Sequence, residues 1–509
     1  MNWSLIGEHL FIVLASSILS VIVGLPLGIA AYVYPKARGV ILHVVDILQT
    51  IPSLALLGII MVFLGAGKPT VILGITLYSL LPIVRNTNLG LQEVDPGIKE
   101  AARGMGMSKP YRVLRVEFPL AFPTVFTGIR IAIVNAIGSA VFAAFVGGGG
   151  LGSVINRGIR VQDMRLILLA TAALMVIAVV MDTLMGWFEG RMKNSHGSSK
   201  MIWVPVALIF AAFAAVLPFG IGTGKGNSGD TIYTYDLNYS EPQLVTRMVK
   251  MLVEDRTDLT VDIMDEMTNV NAFRELSASD PSCDFIVSYD GTLLTTFLGQ
   301  DTTDIPEGQT LYDYVNEEGM ERYNIRLLGK LGLDNTYAIA VPEETAQEYG
   351  LQCVSDLIPI ADQFVFGAEH EFFTEEGSMK YGPFVDYYGL QFKDAAKVDL
   401  GLKYNSIENG SFDVTVVYAT DGLNRKAGLQ ILEDDKEFFP EYNGALLVRD
   451  EMFERVSGTA PDLEEVMNLL EGQISTEEMA EMTYQVDVLG EDVETVAYDF
   501  LTEKGLLEE

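Results

Sequence analysis

Residues able to carry covalent chemistry are scarce in this chain. Its 509 residues include four histidines and two cysteines, Cys283 and Cys353, and no spacing sets a nucleophile beside a base or gathers metal ligands. The two thiols can pair in an oxidising space or stay apart, and their number leaves both open. The stretch "GIGTGKGNSGD" (220–230) has the composition of a phosphate loop. No glycine stands at the required distance before Gly224 and Lys225, however, and no Ser or Thr follows the lysine. The expectation is a chain that catalyses no covalent reaction and needs no metal or cofactor. Two features ask for another explanation. Seventeen of the 21 tyrosines lie after residue 230, where no tryptophan does. And "KEAARGMGMSKPYRVLRVEFPLAFP" (99–123) sets basic residues around a glycine break between two long apolar runs.

The elements that must position these residues divide sharply. Residues 1–200 carry sixteen Lys/Arg and nine Asp/Glu, a net of +7, which leaves 34−16 = 18 basic and 68−9 = 59 acidic residues, a net of −41, for the remainder. Apolar windows long enough to cross about 30 Å of hydrocarbon as helices occur near 8–33, 39–64, 70–91, 119–146, 166–188 and 201–221. The first is too long for a signal peptide's core and lacks a basic start, so it reads as a retained helix. Six spans put both ends on one side. The basic segments "YPKARG" (34–39), 85–118 and "RMKNSHGSSK" (191–200) then share the other face, which the positive-inside rule makes cytoplasmic. Arg157 and Arg160 count against that assignment without reversing it, and Trp3, Trp187 and Trp203 fall at span edges. Everything after residue 222 is then outside the cell. Pro26, Pro52, Pro82 and Pro123 are expected to interrupt spans, and Gly24, Gly28, Gly58, Gly74, Gly128 and Gly138 to allow close packing. Asp46 and Asp182 are the intramembrane carboxylates. Asp46 has His43 or a neighbouring span as possible partners, Asp182 lies near the cytoplasmic end, and neither reads as a proton relay.

A flexible linker, 222–230, leads to the acidic region. There "TIYTYDL", "DFIVSY", "TYAIAV", "QFVFGA" and "FDVTVVYA" read as strands, alternating with helical patterns such as "SEPQLVTRMVKMLVED" and "PDLEEVMNLLEGQI". That alternation predicts α/β layers with largely parallel sheet. In the cytoplasmic stretch, Asp95 followed by Pro96 predicts a capped helix start. Ile98, Ala101, Ala102 and Met105 make a small apolar face, Gly104 and Gly106 end the helix, and Ser108 is placed to cap a second one running through Arg115. Small residues on that face let another protein's backbone approach closely.

At this point the residues resemble a family. "EAARGMG" followed by "EFPLAFP" is similar to the signature of ABC-importer permeases, carried here by Glu100, Ala101, Ala102 and Gly106 with Pro119 at its end. "QTIPSLALLG" (49–58) and "GGGGLG" (147–152) resemble the glycine betaine/choline/carnitine branch. The resemblance implies that the first short helix docks on a separate ATPase subunit and couples nucleotide-driven closure to the pore. Residues 231–509 resemble the substrate-binding proteins of the same branch through "LNYSEPQ", "MTNVNAF", "LDNTYAIAV", "GLKYNSIENGSFDV", "ATDGL" and "LEDDKEFFPEYNGALLVRD". The implied architecture is an all-α permease domain, 1–200, with a coupling loop at 92–118. An additional helix at 201–221 and the linker follow, and then an α/β two-lobed periplasmic-binding-protein-like domain. Its lobes would be about 231–336 plus 438–509, and 337–437.

In that family a cage of aromatic rings holds a quaternary ammonium. A trimethylammonium has no N–H to donate, so ring faces must hold it, at about 0.5–2 kcal/mol each. Carried over by position, the cage falls on Tyr289, Tyr337, Tyr404 and Tyr418, with Tyr239 and Asn238 as further candidates. Departures occur where the other end of the ligand is read: Leu237 replaces the family's frequent lysine, Pro242 a glutamine, and "IVSY" (286–289) the usual Tyr-Pro-Glu-Tyr loop. The implied function is import of a quaternary-ammonium compound such as glycine betaine, choline or carnitine, by a membrane-embedded homodimer working with a separate ATPase. The alternatives are an ergothioneine importer of the same architecture and a ligand sensor without transport. The charge of the outer region excludes nucleic acid, and membrane lipid is the remaining partner.

Overall fold

The computed structural model describes residues 3–161, 163–194, 199–220, 230–374, 377–399 and 402–507, and the chain forms two compact units. The expected linker lies outside the described residues except for Asp230.

The first unit is helical. Four of its helical stretches are long and apolar enough to cross a membrane: Ser4–Val33, Lys68–Glu93, Lys109–Val146 and Met164–Met192. A fifth span results if the bent pair Pro35–Thr50 and Ser53–Leu64 counts as one. The apolar window 39–64 is thus interrupted at Pro52, as expected of that proline. The two helices meet at 100°, because Pro52 offers no N–H and forces Ile51 into extended backbone (φ −70°, ψ 126°). Pro26 and Pro123, by contrast, sit inside unbroken helices, Trp3–Val33 and Phe118–Ser139. The sixth expected span falls on the helix Ser199–Gly220, whose described apolar stretch is Ile209–Pro218. Glycine packing is selective. A Cβ at Gly28 would lie 2.5 Å from Thr87, and one at Gly128 2.6 Å from the Pro82 carbonyl, so three long helices approach closely there. Gly58 and Gly138 face open space and do no such work.

The second unit is α/β. Its strands are β1 (Thr231–Leu237), β2 (Thr260–Met267), β3 (Phe285–Tyr289), β4 (Ile325–Leu327), β5 (Tyr337–Pro342), β6 (Val365–Glu369), β7 (Asp394–Val398), β8 (Val414–Tyr418), β9 (Leu429–Leu432) and β10 (Gly444–Arg449). They form two five-stranded sheets, β2-β1-β3-β10-β4 and β7-β6-β8-β5-β9. Each sheet carries its own buried core, one around Phe285, Val287 and Leu446, the other around Phe366, Phe384 and Val414. The expectation of largely parallel sheet is corrected to mixed sheet. β1 with β3, and β6 with β7 and β8, are parallel. β10 runs antiparallel to β3 and β4, and β5 to β8 and β9. The reason is topological: β5 and β10 are the strands that follow each crossing between lobes, and they enter their sheets from the opposite end. The two crossing segments pair with each other, through a bridge of Asp334 with Asn443 and a 3.0 Å bond from the Asn335 amide to the Tyr442 carbonyl. Cys283 and Cys353 form no disulfide, so that alternative is not realised.

Candidate functional site

The tyrosines picked from the sequence converge on the edges where the two lobes meet. Tyr289 ends β3 and Tyr418 ends β8, while Tyr337 begins β5. Carboxyl ends of strands are where open α/β sheets present ligand-binding side chains. Tyr337 and Tyr418 are directly opposed partners in the β5–β8 register. Their rings consequently lie side by side, centroids 5.2 Å apart and tilted by 31°. Phe372 and Phe439 abut the Tyr337 ring edge-on at 5.6 and 6.0 Å. In the other lobe the Tyr289 and Tyr442 rings lie 5.6 Å apart, and the Tyr239 hydroxyl donates to that of Tyr289 at 3.4 Å. Tyr404, on the helix Lys403–Glu408, donates to Asp421 at 2.5 Å and to Asn424 at 3.0 Å. Asn238 is half-buried in the bend after β1 and makes no described hydrogen bond to any of these rings.

Residues that sequence reasoning missed complete the cleft. Glu241, in the first turn of the helix Ser240–Arg256, accepts from Tyr289 at 2.5 Å and from the Asn335 amide at 3.4 Å. Burial pushes its carboxyl up to about 7, with hydrogen bonds from Thr420 and Tyr289 holding it from going further. Burial, reinforced by neighbouring carboxylates, also pushes the hydroxyls of Tyr289 and Tyr404 well above the usual phenol range. These rings remain neutral, electron-rich faces. The Asn335 side-chain oxygen is buried without a hydrogen-bond partner. Tyr442 and Asn335 both lie on the crossing segments, where distance along the chain hid the meeting of Tyr442 with Tyr289 and of Asn335 with Glu241. Lys403 is the other omission: its ammonium is buried beside Tyr404 and Tyr418. A lysine directly before a tyrosine in "GLKYNS" was the signal for it.

The stretch expected to face the cytoplasm and couple to a motor folds locally. Asp95 accepts from the amides of Gly97 (2.6 Å) and Ile98 (3.3 Å) and starts the helix Pro96–Gly104. Gly106 ends it with φ +78°. Glu100, Ala101 and Gly106 are exposed, as are Ile98 (41%) and Met105 (69%). Ala102, at 1% exposure, faces its own bundle, so it supports the helix instead of offering a surface. Ser108 makes no side-chain cap. The second basic helix instead runs on through a π-helical turn, Val113–Glu117, into the next span. A cleft of about 310 Å³, lined by Glu93, Asp95, Ile98 and Thr124 among others, lies alongside. The intramembrane carboxylates are paired. Asp46 forms an ion pair with Arg85 at 2.8 Å rather than with His43, and Asp182 takes two 2.7 Å hydrogen bonds from Arg130. Among the described residues no His, Cys, Asp and Glu group could hold a metal ion.

Residues 231–503 match the family described as the substrate binding domain of ABC-type glycine betaine transport systems, and residues 20–194 the binding-protein-dependent transport system inner membrane component. An ergothioneine transport permease/ergothioneine binding protein of Helicobacter pylori (strain G27) is 29% identical over 506 residues, covering 96% of this chain and 88% of that protein. A carnitine transport binding protein of Listeria monocytogenes serotype 1/2a (strain 10403S) is 30% identical over 283 residues, 56% of this chain and 90% of that protein. A glycine betaine/carnitine/choline transport system permease protein of Bacillus subtilis (strain 168) is 42% identical over 184 residues, 36% of this chain and 80% of that protein.

Proposed function

The chain belongs to the family of substrate-binding domains of ABC-type glycine betaine transport systems, with the inner-membrane component of such a system in the same polypeptide, and from that premise we propose how it holds its ligand and meets its motor. It is the fused permease and binding protein of an importer for betaine-like osmoprotectants, an integral membrane protein that works with a separate ATPase.

The ligand's quaternary nitrogen is held against tyrosine faces in the cleft. Tyr289, Tyr239 and Tyr337 lie nearest the crossing, joined by Tyr442, and Tyr404 and Tyr418 form the far wall. The observation that carries this reading is the gathering of Tyr289, Tyr239 and Tyr442 from separate segments beside one buried acid, Glu241. Rings and a carboxylate together attract a cation that cannot donate hydrogen bonds. Glu100, Ala101 and Gly106 make the surface on which the ATPase docks, two copies of the chain form the pore, and the α/β unit faces the outside.

A second reading names the ligand more narrowly as ergothioneine. It is supported by the Helicobacter relative, alike in both parts, and by the Asn335 oxygen, which is buried without a partner near Glu241. Two acceptors side by side suit a ligand that offers a ring N–H, which glycine betaine does not. Calorimetry on the full chain in lipid nanodiscs, against glycine betaine, choline, carnitine and ergothioneine, decides. Heat from at least one trimethylammonium compound, and none from their primary-amine counterparts, is the expected result. Binding of primary amines alone overturns the reading. For orientation, a cysteine at Ser457 is expected to react with impermeant reagents in intact cells and one at Ser108 only after lysis.

A further inference from the structure

Lys403 is 1% exposed and begins its helix at the edge of the second lobe's sheet. Its ammonium lies 3.3 Å from one oxygen of Glu369, the last residue of β6. It also lies 5.5 Å from the Tyr404 ring centre and 5.6 Å from that of Tyr418. Burying a lysine costs free energy unless its donors are met. An ammonium has three donors, and Glu369 is the single hydrogen-bond acceptor Lys403 has among the described residues. At 3.3 Å that bond is longer than the roughly 2.7–2.9 Å of a good charge-assisted contact. The second oxygen of Glu369 is buried with no partner. A pair kept only to hold the fold together would be expected to be fully satisfied. This one is not, and it lies beside two of the rings that line the cleft.

The position of Lys403 also constrains the ligand. A second cation cannot share the faces of Tyr404 and Tyr418 with a resident ammonium without strong repulsion in a poorly solvated site. The quaternary nitrogen is thereby directed to the other wall, where Tyr289 and Tyr442 stand beside Glu241. The lobes then carry opposite preferences: rings and an acid on one side, an under-bonded ammonium on the other. Glu369 offsets part of the positive charge, and Asp421 is engaged by Tyr404 and the Leu423 amide.

Building on the betaine reading above, we propose that Lys403 is the residue that reads the ligand's anionic end, so that a zwitterion lies across the cleft with its carboxylate on Lys403 and its quaternary nitrogen against Tyr289 and Tyr442. The lysine selects betaines over choline, which carries the same nitrogen but no carboxylate. It does so from a different segment than the position before Asn238, where the chain has Leu237.

Calorimetry with the full chain in nanodiscs, using glycine betaine and choline as probes, tests this. Lys403→Met should weaken glycine betaine by roughly tenfold or more, the loss of a charge-assisted hydrogen bond. Choline should change by less than about threefold. Lys403→Arg should recover part of the betaine affinity. Glu369→Gln, which keeps the lysine and frees its donors, should raise the betaine-to-choline preference. Equal loss of both ligands in a folded Lys403→Met protein marks a structural role and overturns the proposal, as does unchanged betaine binding. If Lys403→Met does not fold, Glu369→Gln decides, and an unchanged or reduced preference overturns it. A wild type that binds no trimethylammonium compound removes the betaine reading itself, a different failure from a wild type that binds both probes and a variant that loses them in parallel.

Discussion

The helical and α/β units solve the placement of functional side chains in opposite ways. In the first, the proposed coupling surface is one exposed nine-residue helix with its cap and its stop, all within residues 95–106. Its most deeply buried ion pair is equally local: Arg112 donates to Glu117 at 2.5 Å, with the two side chains 6% and 0% exposed. In the second, the cleft draws on the ends of β3 and β8, the start of β5, the first turns of two helices and both crossing segments. Solvent accounts for the contrast. A chain surrounded by hydrocarbon must satisfy its backbone within each helix, which leaves helix ends and connecting loops to meet partners. A chain in water builds sheets whose strand ends gather side chains from far apart.

The contrast predicts that damage should be separable. The largest effect is expected at Gly106. With φ +78° and no atom within 4 Å of a would-be Cβ, Gly106→Trp strains the helix stop and projects a bulky ring from the proposed docking face. Uptake into proteoliposomes should fall to background while calorimetric ligand binding by the same protein is unchanged. A parallel loss of both would dissolve the distinction between the units. Next is Arg112→Ala, which leaves Glu117 buried and unpaired at a cost of about 3–5 kcal/mol. The helical unit should then melt earlier, while the α/β transition in calorimetric scans stays in place.

In the cleft, Tyr289→Ala with Tyr442→Ala should cost about 1–4 kcal/mol of trimethylammonium binding, from two rings at about 0.5–2 kcal/mol each. Phenylalanine sharpens the point. Tyr337→Phe keeps the ring and should be tolerated, whereas Tyr289→Phe strips Glu241 of a 2.5 Å donor and should weaken binding. Equal tolerance at both positions would mean that Glu241 plays no part.

The smallest effect is on pH. Glu241 is raised to about 7 by burial, so in the free protein it is largely protonated below that value. A bound cation favours the carboxylate, so affinity should rise with pH between about 5 and 7 and level off above, and Glu241→Gln should flatten the curve. The same shift acts oppositely on folding. Because the folded value exceeds the unfolded one, the stability from this group is complete below the unfolded value and is lost as pH rises through the folded one.

Local chemistry was legible without coordinates. The cap at Asp95, the stop at Gly106, the strand candidates and four tyrosines at strand or helix edges follow from side-chain period, proline and glycine geometry, and motif resemblance, all properties of short segments. The sequence by itself therefore determined the two-part division, the kind of solvent each part meets and the ring chemistry available to a ligand. It could not show that Pro52, and not Pro26 or Pro123, breaks its span and turns a 26-residue apolar run through 100°, since the other two sit inside unbroken helices. Nor could it show that Ala102 turns inward. The tertiary structure alone decided which acid and which base attend the rings. Glu241 reaches Tyr289 across 48 residues, and Lys403 reaches Glu369 across 34. Contacts of that range are set by the pairing of sheets and the crossing of the chain between lobes, and no periodicity along the sequence encodes them.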